Sequence, residues 1–225
     1  MDYFGNSRAR YLKTLDAIPE DIAVNKAAKI LDIGGYSVFE DMMIDRYGFE
    51  NLKTFATPNL NVDTLDFENN SFDLIILGEV IEHLYDPDII LQECSRILKP
   101  NGVLLITTPN LLSWYNRILM VFGYYPMNLD ISCEVRRTGK RDILQKRPLE
   151  NVQLNPLYDV HIKLYTFATL DILLRGHGFG QLSKSSYSLD RSAHFRINFI
   201  LKFVNSVFSR INNLAQGIII LGRKT

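Results

Sequence analysis

Two runs decide the fold: Ser71-Phe-Asp-Leu-Ile-Ile-Leu-Gly-Glu-Val-Ile-Glu-His-Leu84 and Glu93-Cys-Ser-Arg-Ile-Leu-Lys-Pro-Asn-Gly-Val-Leu-Leu-Ile-Thr-Thr-Pro-Asn110. Phe72 to Leu77 is short and almost uniformly apolar, the pattern of a buried strand, and Val103 to Thr107 reads the same way. Between them Pro87 opens a helix running to Leu98, with Leu91, Cys94, Ile97 and Leu98 on one stripe. Lys99-Pro100-Asn101-Gly102 stops it. Strand, helix and strand in this order predict a parallel sheet flanked by helices.

The same alternation extends outward. Upstream, Ser7 to Ala17 has helical spacing, Lys29 to Ile33 is a strand entering Gly34-Gly35, Ser37 to Tyr47 is a helix and Leu52 to Thr57 a strand. Downstream, a helix from about Leu111 to Phe122 leads into a polar stretch, 123–160, with no clear period. Thr166 then caps a helix whose stripe is Leu170, Ile172, Leu173 and Leu174, closed by Gly176 and Gly178. Gln181 to Ser188 and Gly217 to Gly222 read as strands on either side of a strongly apolar helix, Phe199 to Leu214. The expectation is one α/β domain over 1–225, with an insertion at about 111–160, longer than loops usually are, and an amphipathic helix insertion at about 195–214.

Composition narrows the function. Of 225 residues, 47% are apolar and 22% charged, with 25 basic against 25 acidic. That balance argues against a polyanion-coating protein and against an acidic disordered chain, and nucleic acid is not the expected partner. Cys94 and Cys133 make neither a disulfide framework nor a CxxC metal pair, so a reducing interior fits. The first residues lack the layout of a signal peptide, and no apolar run is long enough to span a bilayer. The expected location is cytoplasmic.

The first strand ends Leu31-Asp32-Ile33-Gly34-Gly35. In an open parallel sheet, ligands sit beyond the carboxyl ends of the strands. Glycine there admits a cofactor close to the backbone, but an acid two residues earlier would repel a pyrophosphate. It suits a ligand carrying an ammonium group, so S-adenosylmethionine is favoured over a dinucleotide, whose GxGxxG pattern is absent.

With these motifs the chain resembles the class I S-adenosylmethionine-dependent methyltransferases, most closely the small-molecule branch found beside polysaccharide, lipid and quinone biosynthesis. The resemblance rests on Lys29 to Gly35, on the 71–110 runs, and on His161-Ile-Lys-Leu-Tyr-Thr-Phe-Ala-Thr-Leu170 with Gly178-Phe179. It implies a Rossmann-like, doubly wound, mostly parallel sheet with an antiparallel last strand, and a helical or loop lid. It also implies cofactor contacts: Asp32 and Gly34 at the methionine end, with Gly35 and Tyr36 in the same turn. Asp63 would receive the adenine amino group, and Gly78 and Glu79 would line the sulfonium side. The chain departs from the family pattern twice. Tyr36 and Val38 stand where later glycines are expected, and the second strand ends Phe55-Ala-Thr-Pro58, without the acid that grips ribose hydroxyls. Too few residues separate that strand from Asp63 for a helix between them. These departures support an alternative, a non-catalytic methyltransferase-fold module that binds or regulates a partner.

Glu79-Val-Ile-Glu82-His83 places three polar groups on one face if it is helical, where the transferred methyl should sit. The spacing resembles that of small-RNA 2′-O-methyltransferases and ubiquinone-pathway O-methyltransferases, which use a divalent cation. By that resemblance Glu79, Glu82, His83 and His161 are metal candidates. The reading carried forward has no metal and assigns His83, Glu79 and His161 to catalysis, with His83 as base and Glu82 orienting it.

The insertion contains Trp114, Tyr115, Tyr124, Tyr125 and Tyr158, and between 134 and 147 Arg136, Arg137, Lys140, Arg141, Lys146 and Arg147 outnumber Glu134 and Asp142. A basic, aromatic lid suits an anionic acceptor, such as a sugar phosphate or a lipid-linked substrate. Asn110 and Asn116 are further cavity candidates. The apolar face at 199–211 either covers the sheet or makes a peripheral membrane contact. The expected activity is methyl transfer to a small or carrier-linked acceptor, at oxygen.

Overall fold

In chain order the structure, a computed structural model, forms α1 (Tyr3–Asp16), a one-turn α2 (Glu20–Ala23), β1 (Lys29–Ile33), α3 (Ser37–Tyr47), β2 (Asn51–Phe55), β3 (Phe72–Gly78), a 3₁₀ turn (Ile81–His83) and α4 (Pro87–Ile97). It continues through β4 (Leu98–Pro109), α5 (Trp114–Val121), α6 (Phe167–Gly176), β5 (Phe179–Tyr187), a second 3₁₀ turn (Asn212–Leu214) and β6 (Gly217–Lys224). The residues described are 3–34, 37–55, 65–130, 160–188, 207–208 and 211–225. The strands form one sheet in the order β2-β1-β3-β4-β6-β5. The first four run parallel, and β6 is antiparallel to both β4 and β5. The mostly parallel sheet with an antiparallel last strand is therefore as expected.

Side chains alternate across the sheet, and each face has its own core. Leu31, Ile33, Ile75, Leu77, Leu104, Ile106, Ile218 and Ile220 point to one face, covered by α4 and α6. Ile30, Leu74, Ile76, Val103, Leu105, Ile219 and Leu221 point to the other, against Tyr11 and Leu15 of α1 and Phe39 and Met43 of α3. Burial on both faces is why these strands read as unbroken apolar runs. Each fully buried Leu or Ile contributes about 1.5–3 kcal/mol. Asp32 is the exception in β1: its place in the alternation puts a carboxyl on the α1–α3 face.

Local signals behave as their chemistry requires. Asp86 Oδ1 accepts the Asp88 N–H at 3.0 Å, with Pro87 opening α4. Thr166 and Thr169 form a reciprocal capping box at α6. The α6 stripe differs in one member. Phe167, Leu170 and Leu174, spaced by three and four, are buried, whereas Ile172 falls on the opposite side and is 73% exposed. Lys99 to Gly102 does end the helix, but as a bulge inside β4: Leu98 pairs with Phe72, and the register then jumps to Leu74–Val103. The helix expected over 199–214 lies mostly outside the described residues. At its end Ile211 is extended and only a 3₁₀ turn follows, because Asn212-Asn213 favours local turn bonding over helix.

Among the described residues no strand lies outside β2 and none of 65–71 is helical; the segment between β2 and Asp63, where no helix is expected, lies outside the described residues. Arg96 holds this connection against α4. Its guanidinium donates to Leu65 O at 2.9 Å, Phe67 O at 2.8 Å and Asn69 Oδ1 at 2.7 Å. Glu93 Oε2 accepts the Leu65 N–H at 2.7 Å. No helix among the described residues is long and apolar enough to cross a membrane.

Candidate active site

The carboxyl ends of β1 and β3 meet at a cradle. Gly34 has φ +81°, and a Cβ there would lie 2.3 Å from Val80 Cγ2. Only glycine allows that approach with that backbone. Gly78, at the end of β3, faces open space: a Cβ there would meet nothing within 4 Å. Asp32 sits behind, 1% exposed, and its Oδ2 has no hydrogen-bond partner among the described residues. Burial, and then the Glu40 charge, push its pKa up to about 7, with Arg10 acting in the opposite sense. A buried carboxyl with an unmet oxygen, beside an open glycine edge, fits a ligand that brings a cation. The methionine ammonium of S-adenosylmethionine is such a group. Gly35, Tyr36 and Asp63 lie outside the described residues.

Glu79 is the first residue beyond β3 and has φ +58°, uncommon for a side chain of its size. Three elements supply donors to its carboxylate. Thr107 Oγ1 of β4 lies 3.0 Å from Oε1, Tyr187 OH of β5 lies 2.7 Å from Oε1, and Arg10 Nη1 of α1 lies 3.2 Å from Oε2. Burial opposes the charge on Arg10, but Glu79, Tyr187 and Tyr11 outweigh it, and the arginine pKa stands above its ordinary value. Arg10 thus joins two carboxyls, Glu79 by contact and Asp32 through its field.

A second cluster forms at the 3₁₀ turn itself, which carries Glu82 and His83. Ligand atoms of Glu82, His83 and His161 all lie within 4.8 Å of one another. The two rings pack edge-on, with centroids 4.7 Å apart. His83 Nδ1 donates to Val160 O at 2.9 Å and His161 Nδ1 to Asn128 O at 2.8 Å. Because a carbonyl only accepts, both neutral rings carry the proton on Nδ1, leaving Nε2 as the basic nitrogen. The His161 backbone is itself clamped: its N–H meets Asp130 Oδ2 at 2.9 Å, and its carbonyl accepts the Asp130 N–H at 3.0 Å. Glu82 is fully buried. Thr108 donates to its Oε2 at 2.9 Å, and among the described residues Oε1 has no hydrogen-bond partner. Burial, reinforced by Glu79, raises its pKa well above the usual carboxylate range.

The structure therefore brings Glu82, His83 and His161 together and leaves Glu79 out. A helical face shared by Glu79, Glu82 and His83 does not form, because the left-handed residue at 79 turns that side chain toward α1. Nor does Glu82 hydrogen-bond His83 to orient it; backbone carbonyls do so. Asn110 and Asn116 are buried braces rather than cavity groups. Asn110 Nδ2 reaches Ala215 O at 2.9 Å, and Asn116 Oδ1 accepts the Met127 N–H at 2.9 Å. Of the expected lid, 131–159 with its basic residues and Tyr158 lies outside the described residues. Trp114, Tyr115, Tyr124 and Tyr125 are on or just after α5. Arg10, Thr107, Thr108 and Tyr187 were not legible in sequence. Arg10 lies on an amphipathic first helix, where ordinary spacing assigns an arginine to solvent.

This sheet order, with a glycine turn after β1, a buried acid before it and a polar turn after β3, is a Rossmann-like fold shared with solved S-adenosylmethionine-dependent methyltransferases. Residues 43–106 match the family model described as Methyltransferase domain. Among curated relatives, a ubiquinone biosynthesis O-methyltransferase of Parvibaculum lavamentivorans is 30% identical over 137 residues, covering 49% of this chain and 52% of that protein. The chain spans between about a fifth and a half of the length of the curated relatives it matches. The same fold recurs in an S-adenosylmethionine-dependent methyltransferase of Thermotoga maritima, with TM-score 0.54, 15% identity and coverage of 99% of this chain and 93% of that one. It recurs again in one from Archaeoglobus fulgidus, with TM-score 0.53, 15% identity and 97% coverage of each chain.

Proposed function

We propose that this protein transfers a methyl group from S-adenosylmethionine to an oxygen of a small or carrier-linked acceptor. One observation carries the reading: the single segment Gly78–His83 joins an open cofactor cradle to a half-buried imidazole pair with both Nδ1 atoms tied to carbonyls. Bound S-adenosylmethionine supplies an electrophilic methyl on a sulfonium. Asp32 and Glu79 meet the cationic methionine end, while Arg10 is placed for its carboxylate. The open edge at Gly78 leaves room for in-line approach. Nε2 of His83 or His161 would take the acceptor hydroxyl proton as the oxygen accepts the methyl. The relatives named as O-methyltransferases support oxygen as the acceptor atom. The basic composition of 134–147, with Lys163 beside His161, supports an anionic acceptor. A lipid-linked acceptor would use the apolar segment 199–211 for peripheral membrane contact, and the absence of liposome flotation would remove that version.

Calorimetric titration with S-adenosylhomocysteine is the decisive test. Binding is expected, and none at millimolar ligand would leave the non-catalytic binding module. His83→Ala and His161→Ala should then lower kcat while leaving cofactor affinity within about twofold. A second reading is favoured by the convergence of Glu82, His83 and His161. Imidazoles with Nδ1 fixed by carbonyls, beside a carboxylate oxygen lacking a partner among the described residues, fit a divalent cation, which would lower the pKa of the acceptor hydroxyl. Activity that survives exhaustive chelation and is unchanged by added magnesium or zinc would exclude it.

A further inference from the structure

Tyr187 reaches Glu79 by lying across a neighbouring strand. It is the last residue of β5, its register partner in β6 is Gly217, and its hydroxyl lies 2.7 Å from Glu79 Oε1 on the far side. A Cβ on Gly217 would stand 1.9 Å from Tyr187 Cζ and 2.4 Å from its hydroxyl. Gly217 has no positive φ, so its backbone does not call for glycine; the ring does. The four residues that follow, Ile218, Ile219, Ile220 and Leu221, are all bulky, and on the face shared by Gly217, Ile219, Leu221 and Arg223 the missing side chain lies where the phenol crosses.

We infer that the Tyr187–Gly217 pair is a positioning device that holds the Glu79 carboxylate on the cofactor side of the site, and this rests on S-adenosylmethionine occupying the Asp32–Gly34 cradle. Glu79 and Glu82 are three residues apart on one turn, yet the chain uses them differently. Glu82 joins the imidazoles, whereas Glu79 is drawn to the α1–α3 face, where Asp32 and Arg10 lie. The left-handed backbone at 79 starts that divergence, and Tyr187, with Thr107 and Arg10, completes it. Tyr187 is 3% exposed, and burial together with Glu79 raises its pKa far above the ordinary phenol value, so it remains a donor. Tyr187 touches neither reacting group; it acts through Glu79.

The test compares two ligands, S-adenosylhomocysteine and 5′-methylthioadenosine, which lacks the amino-acid portion. Tyr187→Phe keeps the ring over Gly217 and removes only the hydroxyl. It should weaken S-adenosylhomocysteine binding about tenfold, as for loss of one hydrogen bond to a charged group, and leave methylthioadenosine affinity within about twofold. Gly217→Ala, which displaces the ring, should produce the same selective loss, and the double variant should be no worse than the more severe single one. Equal weakening of both ligands, or wild-type affinity for S-adenosylhomocysteine in Tyr187→Phe, would overturn the device while leaving the cofactor assignment standing. Wild-type protein that binds neither ligand would overturn the assignment itself. If Gly217→Ala fails to fold, Tyr187→Phe alone decides.

Discussion

Asp32→Asn is the substitution whose outcome the structure constrains most tightly. The carboxyl is 1% exposed, Oδ2 has no hydrogen-bond partner among the described residues, and its pKa is pushed from 3.8 up to about 7 by burial and Glu40. Because the folded pKa is raised, the folded protein retains a proton that the unfolded chain loses between about pH 4 and 7. This group's contribution to stability is complete below about pH 4 and declines as pH rises through about 7. A span from 3.8 to about 7 corresponds, at ~1.4 kcal/mol per tenfold step, to roughly 4 kcal/mol as an upper bound. Asparagine has nearly the same shape and cannot ionise. Asp32→Asn should therefore be within about 1 kcal/mol of wild type near pH 4.5 and exceed it by up to about 4 kcal/mol at pH 8, while losing affinity for S-adenosylhomocysteine. Urea denaturation at the two pH values measures the first effect and calorimetry the second. In wild type, cofactor binding at pH 6 should release a proton, seen as a dependence of binding heat on buffer ionisation enthalpy. An Asp32→Asn variant no more stable than wild type at pH 8, or equally stabilised at both pH values, would refute the argument that this carboxyl is buried without compensation.

Other outcomes follow from the same contacts. Gly34→Ala combines an unfavourable φ of +81° with a Cβ 2.3 Å from Val80 Cγ2, and should cost roughly 2 kcal/mol or more and abolish cofactor binding, checked by denaturation and calorimetry. Glu82→Gln should gain stability relative to wild type as pH rises from 5 to 8, since it removes a buried acid whose pKa is raised; Glu82→Ala should cost roughly 2–4 kcal/mol, leaving a cavity and the Thr108 hydroxyl without its acceptor. Arg96→Ala should cost about 1–2 kcal/mol and accelerate amide exchange at Leu65, whose N–H is held by Arg96's partner Glu93. Unchanged exchange there would show that the connection from β2 is held by other contacts.

Much of the site was legible because its backbone requirements are local. Gly34 declares a turn that only glycine makes, Asp32 stands out as an acid inside an apolar strand, and Pro87 with Asp86 announces the start of α4. The His83–His161 pair was readable only as two candidates from a family pattern, since 78 residues separate them in the chain and the register of 160–165 against the 3₁₀ turn brings them together. The 79–83 segment misled for a physical reason. Helical spacing assumes one backbone conformation throughout, and a single left-handed residue at its head redirects Glu79.

The buried strands and the glycine turn follow from alternation and spacing along the chain, because each depends on residues a few positions apart, whereas the strand order β2-β1-β3-β4-β6-β5 is set by pairing between distant segments. Alternation in β1 puts Asp32 on the face opposite Leu31 and Ile33, but that α1 and α3 cover that face is decided only by the packing. What the sequence could not determine is which donors the carboxylates meet. Arg10, Tyr187 and Glu79 come from the first helix, the fifth strand and the loop after the third, and only the packed sheet sets them within hydrogen-bond reach. Charge partners chosen across a fold leave no period in the chain, and the one trace of this network is a glycine, Gly217, whose reason is a ring thirty residues away.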